Sequence, residues 1–570
     1  MENRNNFFSK VTYTFFLLLI FSGIAQAQIT PETYEKAEYF LTNSLQKQVY
    51  HLEVIPNWTK DGSSFWHTTY TEDGKRFFQT QVSSGETLDS FDHFAFAADL
   101  SKISGETVDP KALPFDRIEI KEDGEIGFEW KNKNWVYKTI ERTLQSSPKT
   151  TQNNLNSSTS PDEKWRAFTR NFNLFIQDLE TGVEIQLSFE GKQDFEYASY
   201  YGWSDLIEGE DGVRPFHFTV NWSPDSKKIQ TQIVDLRIAE KMYLLDFSKD
   251  EKFRPDLLSY YRGSPGDSTV INYIPVIFEL ETKKETKFSD LTTPHFIGLN
   301  LRWEANSEKL IGQYFPRGFK EYSILEIDQN SGAIKKVFTE KSDTHINREN
   351  QFQKLTNGQF IINSEKSGWN HLYLFDWETG KLIRQLTSGE FLVKRVLHLD
   401  EEKQLLYFEA SGKETGRNLY YPHLYQVRLD GSDLKLITPE NAYHEIYLSP
   451  DKKYLIDNYS TVSQATKSVL RELQTGKILK EISTADISNL LAKGYQSPTP
   501  FSAIAKDGKT EIFGIYYLPT DFDDAKSYPV IDYTYSGPHI DITPKPSKPD
   551  FLVCNNRCLS WDLLYLLLMD

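Results

Sequence analysis

The residue types needed for serine-based acyl transfer are incomplete in this sequence. Enzymes that run this chemistry on an α/β sheet place the serine in a G-x-S-x-G turn, followed along the chain by an acid and then a histidine. No G-x-S-x-G occurs among the 570 residues, although Gly-Trp-Ser-Asp-Leu at 202–206 begins like one. His539 is the last histidine. We therefore predict that this chain contains no Ser/Asp/His triad.

Metal-binding patterns are also missing from the sequence. Cys554 and Cys558 are the only two cysteines, and no histidine lies near them. The eleven histidines form no H-E-x-x-H motif or ligand-spaced cluster. We expect neither a metal nor a cofactor, and the main body of the chain has no cysteines for a disulfide framework.

The charge distribution argues against a nucleic-acid partner. The formal net charge is −17, and the basic residues are scattered along the chain. Phosphate binding requires a concentrated positive surface, which this pattern does not provide.

The first residues have the layout of a secretory signal peptide. Arg4 and Lys10 precede an apolar run at 15–21, and Ala-Gln-Ala at 25–27 suggests cleavage before Gln28. The alternative is an uncleaved anchor, for which this apolar run is short. We expect residues 1–27 to be removed and the protein to be exported, periplasmic or extracellular, with no membrane span afterwards. Residues 28–50 are predicted to form an N-terminal helical segment that begins near Pro31.

Past residue 50 the sequence repeats at a step of about 50 residues. Short alternating runs such as 373–375 indicate strands. The repeat is marked by turn glycines and by Ser-Pro-Asp-x-Lys, at Gly182, Gly332, Gly380, Gly431 and Gly476 and at 160–164, 223–227 and 449–453. We predict that each Ser-Pro-Asp turn starts an inner strand and each glycine turn closes an outer hairpin. Because one four-stranded unit cannot bury both faces, neighbouring units must stack.

These repeats predict a β-propeller over residues 51–482, with seven or eight blades. A β-sandwich or a set of unrelated β-domains is the alternative, which the regular step disfavours. From 483 to 545 the pattern changes: a short helix is expected within 484–493, then a strand within 512–518, and then Tyr-Pro-Val-Ile-Asp-Tyr from Tyr528. This last run reads as a buried strand that ends at a Ser-Gly-Pro turn.

Together these features resemble the prolyl oligopeptidase superfamily of serine peptidases, and within it the dipeptidyl peptidase IV branch. The resemblance rests on Pro-Asn-Trp at 56–58, Phe-Trp at 65–66, Gly-Trp-Asn-His-Leu-Tyr at 368–373 and Tyr-Ser-Gly-Pro at 535–538. It implies a propeller that caps an α/β-hydrolase domain and restricts substrates to short peptides, in proteins that are often homodimers. The predicted fold class is all-β: a seven- or eight-bladed β-propeller followed by the first strands of a truncated α/β-hydrolase domain.

The resemblance also suggests roles for three residues. Tyr535 occupies the position whose hydroxyl donates to the oxyanion of the acyl intermediate, and such a donor stabilises charge that develops in the transition state. Without a triad we expect this position to be vestigial. Glu208 and Glu210 match the region that binds the free amino group of the peptide, because a carboxylate attracts an ammonium group strongly in a partly dry cavity. The alternative for these two glutamates is a solvated acidic loop.

The last residues, 546–570, depart from the family and are expected to be an aberrant tail, either from a shifted reading frame or as a hydrophobic extension. The favoured function is that of a truncated dipeptidyl peptidase IV-like serine peptidase that is inactive by itself. The alternatives are a secreted non-catalytic propeller that binds peptides or a surface partner, and a glycan-binding propeller.

Overall fold

The computed structural model describes residues 31, 35, 48–121, 124–148, 156–202, 217–248, 252–294, 298–347, 351–519, 522–533 and 564–569. Pro31 and Glu35 are helical, and the other residues of the predicted N-terminal segment before Gln48 lie outside this description. None of the described helices is both long enough and apolar enough to cross a membrane.

Eight successive sheets follow one another in the described residues between Asn57 and Thr484. The helix α1 (His93–Ser104) lies between the first two sheets. The first sheet is formed by β1 (Asn57–Trp58), β2 (Ser64–Thr71), β3 (Gly74–Gln81) and β4 (Thr87–Asp89), the second by β5 (Ile118–Ile120), β6 (Ile126–Trp130), β7 (Lys133–Lys138) and β8 (Thr143–Pro148), and the third by β9 (Ser157–Thr159), β10 (Trp165–Arg170), β11 (Asn173–Asp178) and β12 (Glu184–Gln186). The fourth sheet contains β13 (Phe195–Tyr197), β14 (Asn221–Trp222), β15 (Lys228–Asp235), β18 (Asn272–Glu279) and β19 (Glu285–Lys287). Between β15 and β18 the chain forms β16 (Lys241–Asp246) and β17 (Asp256–Tyr261), which pair with each other as a separate hairpin.

The next four sheets have four strands each, and successive strands pair antiparallel. A short 3-10 helix, Ser289–Leu291, precedes them. They are formed by β20 (Asn300–Trp303), β21 (Lys309–Tyr314), β22 (Glu321–Asp328) and β23 (Ile334–Lys341); by β24 (Phe352–Lys354), β25 (Gln359–Ser364), β26 (His371–Asp376) and β27 (Leu382–Gln385); by β28 (Leu392–Asp400), β29 (Leu405–Ser411), β30 (His423–Arg428) and β31 (Lys435–Leu436); and by β32 (Tyr443–Leu448), β33 (Tyr454–Thr461), β34 (Gln464–Glu472) and β35 (Ile478–Thr484).

The sheets stack face to face as the blades of a β-propeller, which confirms the predicted architecture. Apolar clusters join most neighbouring sheets, as expected for units that cannot bury both faces alone. The first sheet packs on the eighth, because Phe65 and Val82 share a cluster with Ile456 and Leu470. All four residues of the last strand of the sixth sheet, β27, are exposed, so this strand lies at the outer edge of its sheet.

The Ser-Pro-Asp turns join the first and second strands of their sheets, as predicted. In each, the serine hydroxyl donates to the aspartate, for example Ser160 to Asp162 at 2.6 Å. The turns also hold one another around the ring. The backbone N–H of Asp162 donates to the Ser226 hydroxyl of the next sheet, and that of Asp225 donates to Ser307, both at 3.0 Å.

The glycine turns join the third and fourth strands, again as predicted. Gly182 and Gly476 have φ values of 75° and 76°, a left-handed conformation that glycine adopts at little cost. Each donates its N–H to the carbonyl four residues earlier, at 2.8 and 2.9 Å respectively. At Gly476 the neighbouring sheet also approaches closely, since a Cβ there would lie 2.3 Å from the Ile437 carbonyl oxygen.

A smaller mixed sheet follows the propeller after the helix α2 (Ser488–Ala492). It contains β36 (Thr499–Ile504), β37 (Glu511–Tyr517), β38 (Val530–Tyr533) and β39 (Leu564–Met569), in the order β36-β37-β39-β38. The strand β39 runs parallel to β38 and antiparallel to β37. Ile515 and Tyr517 pack against Val49, Leu490 and Tyr495, which attaches this sheet to both ends of the propeller segment.

Candidate functional site

The acidic segment, residues 203–216, leaves the fourth sheet at a break in its first strand. Both β13 and β14 pair antiparallel with β15, at Ile233–Asp235 and at Ile229–Gln230. The strands β13 and β14 therefore together form the neighbour of β15 on one side, and residues 198–220 separate them in the chain. The chain leaves and returns at the same point, because Thr219 donates its N–H to the Ala198 carbonyl at 2.9 Å. Glu208 and Glu210 belong to this excursion but lie outside the described residues.

Aromatic residues fix both ends of this excursion. The rings of Tyr200 and His217 stack at a centroid distance of 4.4 Å. The backbone N–H of Tyr201 donates to the Tyr273 hydroxyl at 3.1 Å, and the Tyr201 hydroxyl accepts from the N–H of Tyr261 at 3.0 Å. Because Tyr261 belongs to β17, the base of the acidic segment is tied to the hairpin β16–β17.

Glu196, at the centre of β13, is a described carboxylate beside this break that the sequence analysis did not select. It is only 9% exposed and accepts a hydrogen bond from the Ser199 hydroxyl at 3.3 Å. The Glu-Tyr-Ala-Ser run at 196–199 gave no signal, because a single glutamate in a strand pattern is ordinarily a solvated residue.

The other predicted site residue lies beyond the described part of the mixed sheet. The strand β38 ends at Tyr533, two positions before Tyr535. Tyr535 falls outside the described residues, as do Glu208 and Glu210. The strand that leads to it is present, and it pairs in parallel with β39.

A buried ionic network in the eighth sheet was also missed. Asp457 accepts from His444 Nδ1 at 2.9 Å and from Arg471 Nε at 2.8 Å, and Arg471 Nη2 donates to Glu440 at 2.6 Å. Burial alone would raise the pKa of Asp457, but His444 and Arg471 outweigh it and hold that pKa below its ordinary value. These residues are separated by up to 31 positions along the chain, and no motif in the sequence links them.

The carboxylates and the imidazole of this network have the chemistry of metal ligands, and their ligand atoms lie within 4.8 Å of one another. Arg471, however, already provides the positive charge at the centre and uses the carboxylate oxygens that a metal would need. Its side chain is 1% exposed. The network is therefore a paired structural cluster rather than a metal site.

The second sheet carries an open polar cavity. The second sheet turns one face away from the first sheet, and that face includes Glu119, Glu129, Asn134 and Val136. These four residues line a cavity of about 830 Å³. Among the described residues, no apolar cluster bridges the second and third sheets. All the residues that line this cavity lie between Phe115 and Ser147, so the cavity is a depression on the second sheet itself.

The hairpin β16–β17 exposes apolar side chains on both faces. Leu245 and Leu257 are cross-strand partners and are 59% and 63% exposed. Met242 and Leu244, which point to the opposite face, are 38% and 46% exposed. An apolar surface of this kind on a protruding hairpin is characteristic of an interaction site.

Comparisons with known proteins identify relatives of this fold. Dipeptidyl peptidase 4 of Arthroderma otae is 30% identical over 417 residues, which are 64% of this chain and 53% of that protein. Dipeptidyl peptidase 4 of Trichophyton rubrum is 30% identical over 185 residues, which are 31% of this chain and 23% of that protein. The chain spans about half the length of the first of these relatives.

A solved structure shares the same fold. The crystal structure of Porphyromonas gingivalis dipeptidyl peptidase 4 superposes with a TM-score of 0.58 at 17% identity, covering 90% of this chain and 71% of that one. The family described as the dipeptidyl peptidase IV (DPP IV) N-terminal region matches residues 119–466. Because this match covers more than half of the sequence, the chain belongs to the family of the dipeptidyl peptidase IV N-terminal region.

Proposed function

We propose that this protein is the substrate-selecting part of a dipeptidyl peptidase IV-like serine peptidase, in which the propeller admits short peptides with a free amino terminus. Two of the relatives that it resembles are dipeptidyl peptidases, which supports the reaction class. The 570 residues contain no G-x-S-x-G turn, so these residues alone hydrolyse no peptide.

One observation carries the proposal. The chain passes from the propeller into a mixed sheet with a parallel strand pair, and β38 ends two residues before Tyr535. A phenol at the end of such a strand can donate to a developing oxyanion. In this proposal Tyr535 retains the position of the oxyanion donor. Because the 570-residue protein has no nucleophilic serine in a G-x-S-x-G turn, that position is vestigial.

The acidic excursion provides the peptide-binding half of the proposal. It leaves the fourth sheet between β13 and β14, and its ends are fixed by the Tyr200–His217 stack. Glu208 and Glu210 then bind the ammonium group of the peptide, since a charge-assisted contact is strongest where water is partly excluded. In this proposal a short peptide enters beside the second sheet, where no apolar cluster of the described residues reaches the third sheet.

The test has two parts. Purified 570-residue protein should not turn over Xaa-Pro or Xaa-Ala p-nitroanilides, and turnover that a serine-directed organophosphonate abolishes would refute the inactivity. In calorimetry, an Ala-Pro-Ala peptide with a free amino group should bind, and Glu208→Gln combined with Glu210→Gln should weaken that binding about tenfold. The matched control is Glu402→Gln, an exposed glutamate in the turn before β29.

Export is part of the same proposal. Mass spectrometry of the mature protein should find Gln28 at the amino terminus, after removal of residues 1–27. An intact Met1 in a membrane fraction would contradict it.

We also propose that a second copy of this chain covers the hairpin β16–β17. A two-fold interface places the same surface of each subunit opposite itself, so one apolar hairpin serves both partners. The exposed Leu245 and Leu257 support this assignment.

A further inference from the structure

The turn between β10 and β11 of the third sheet holds a phenylalanine in an unfavourable backbone conformation. Arg170 of β10 pairs directly with Asn173 of β11, so the turn has only two residues, Asn171 and Phe172. Their φ values are 48° and 64°, both positive as in a type I′ turn. Glycine is the usual second residue of such a turn, because a Cβ in this conformation clashes with the backbone. Phe172 therefore carries backbone strain, which persists only where the surrounding structure enforces it.

Comparable positions in other sheets avoid or compensate this strain. The corresponding turn of the second sheet, between β6 and β7, consists of Lys131 and Asn132, with φ values of 50° and 58°. Asparagine adopts the left-handed conformation more readily than phenylalanine. Phe319 of the fifth sheet also has a positive φ, but its ring packs near that of His345, with centroids 5.9 Å apart. Phe172 is 40% exposed, and in the part of the chain that the structure describes its ring contacts no other aromatic ring. The packing of the fold therefore does not explain a phenylalanine at this position.

Neighbouring residues hold the backbone of Phe172 in its strained conformation. Its carbonyl oxygen accepts a hydrogen bond from the N–H of Tyr197 at 3.0 Å. The Asn173 side chain bonds both backbone groups of Gly191, through Oδ1 at 2.8 Å and through Nδ2 at 3.2 Å. A Cβ at Gly191 would lie 2.2 Å from the Phe172 carbonyl oxygen, so the two segments approach as closely as a glycine allows. Phe172 is thus held at a fixed position on the surface.

The position of Phe172 connects it with the proposed peptide-binding region. Tyr197, which bonds its carbonyl oxygen, is the last residue of β13, and the chain leaves the fourth sheet directly after this strand. The turn also lies at the end of the propeller that carries the mixed sheet, because the equivalent turn of the eighth sheet places Val462 in one apolar cluster with Ile515 of β37. Phe172 therefore lies beside the break in the fourth sheet, on the side of the mixed sheet.

We propose that Phe172 is a specificity-determining residue, whose ring contacts the apolar side chain of the first residue of a bound peptide. One carbon atom of that residue carries both the ammonium group and the side chain, so a site that binds the first places the second close by. An aromatic ring held in a fixed position provides apolar contact area at little cost in conformational entropy. This inference rests on the proposed function, to which it adds a preference for the side chain next to the amino group.

The probes are the free tripeptides Leu-Pro-Ala and Gly-Pro-Ala, which differ only in the side chain of the first residue. Binding of each peptide to the 570-residue protein is measured by calorimetry. We expect Leu-Pro-Ala to bind about fivefold more tightly, which is the effect of burying part of one leucine side chain.

Phe172→Asn removes the ring and keeps a residue that accepts the left-handed turn. The ratio of the two affinities should fall from about five to about one, while the affinity for Gly-Pro-Ala stays the same. Phe172→Tyr retains the ring and should keep the ratio. The matched control is Phe94→Asn, at a phenylalanine on α1 that is 59% exposed, and it should leave the ratio unchanged. A single cooperative melting transition of each variant shows that the fold is intact.

Equal affinity of the wild type for the two peptides would overturn the inference and leave the proposed function standing. A ratio that persists in Phe172→Asn would overturn it as well, because the ring would then make no contact with the peptide. If neither peptide binds, the proposed function fails and the inference fails with it. If Phe172→Asn abolishes the ratio while Glu208→Gln combined with Glu210→Gln leaves both affinities unchanged, the amine site fails and the contact with Phe172 stands.

Discussion

The side chain of Asn458 bonds both backbone groups of Val54, a residue 404 positions earlier in the chain. Its Oδ1 accepts from the Val54 N–H at 3.1 Å, and its Nδ2 donates to the Val54 carbonyl at 2.9 Å. Val54 is 1% exposed, so no water replaces these bonds. The beginning and the end of the propeller are joined here through a single carboxamide.

Asn458→Ala should therefore destabilise the propeller. It leaves a buried N–H and a buried C=O without partners, which costs about 2–4 kcal/mol in the free energy of unfolding. Differential scanning calorimetry should show a lower melting midpoint. Asn357→Ala, an exposed asparagine in the turn before β25, is the control, and equal midpoints for the two variants would contradict this view of ring closure.

Two turn glycines with nearly the same φ allow the cost of a close approach to be separated from the cost of a left-handed backbone. Gly182→Ala has open space around the new Cβ and should cost about 1 kcal/mol for the conformation alone. Gly476→Ala also drives its Cβ into the Ile437 carbonyl and should cost at least about 2 kcal/mol more. Chemical denaturation of the two variants measures the difference. Equal losses would show that the neighbouring sheet relaxes away.

Removing the cation of the buried network should be more damaging than removing a surface cation. Arg471→Met leaves the fully buried Asp457 with His444 alone and should cost about 3–5 kcal/mol. Arg170→Met breaks a pair with Glu184 in which the arginine is 51% exposed, and should cost at most about 1 kcal/mol. Thermal unfolding compares the two. Similar losses would mean that the network is dispensable for stability.

The propeller should lose stability as the pH falls from 6.5 towards 4. Burial lowers the pKa values of His67 and His423 from 6.5 to about 4. The neighbouring histidine acts in the same direction in each case, His51 on His67 and His444 on His423. The unfolded chain therefore binds more protons in this window, and stability rises with pH, by up to about 3 kcal/mol for each histidine.

Urea denaturation at a series of pH values measures this slope. His67→Phe keeps the ring volume in the core and removes one titrating group, so its stability curve should be flatter between pH 6.5 and 4. Stability that stays constant or increases on acidification through this window would contradict the prediction.

The hairpin proposal predicts a dimer that charged substitutions dissociate. Leu245→Lys with Leu257→Glu places opposite charges on directly paired positions, so the hairpin itself is preserved while its apolar surface is lost. Sedimentation velocity should show a dimer for the wild type and a monomer for this double variant. Ile140→Lys, at a residue 87% exposed on the second sheet, should remain dimeric. A monomeric wild type would exclude the proposal.

The regular parts of the fold were predictable from the sequence because their turns have local chemical requirements. Gly380 and Gly476 need a left-handed backbone, and Ser160 and Ser449 bond an aspartate two residues later. The residues that define each of these turns lie within five positions of one another in the sequence. The short helix expected within 484–493 is likewise present, as Ser488–Ala492.

The remaining features depend on contacts that no local pattern records. The helix α1 interrupts the repeat, and its Phe96 and Leu100 fill the space between the first two sheets. The division of one strand into β13 and β14 becomes visible only through their shared partner β15. The network around Arg471 assembles residues from separate segments, each unremarkable in its own part of the sequence.

Because the Ser-Pro-Asp turns are linked to the turns of neighbouring sheets, the two opposite sides of the propeller should differ in how well they tolerate inserted sequence. An insertion in one of these turns would disturb its own sheet and the serine contact of the next, for example Asp162 with Ser226. At the opposite end the chain already accommodates the hairpin β16–β17 between β15 and β18. A fluorescent label, an affinity tag or a grafted loop should therefore be placed at that opposite end, where added sequence leaves the circle of turns undisturbed.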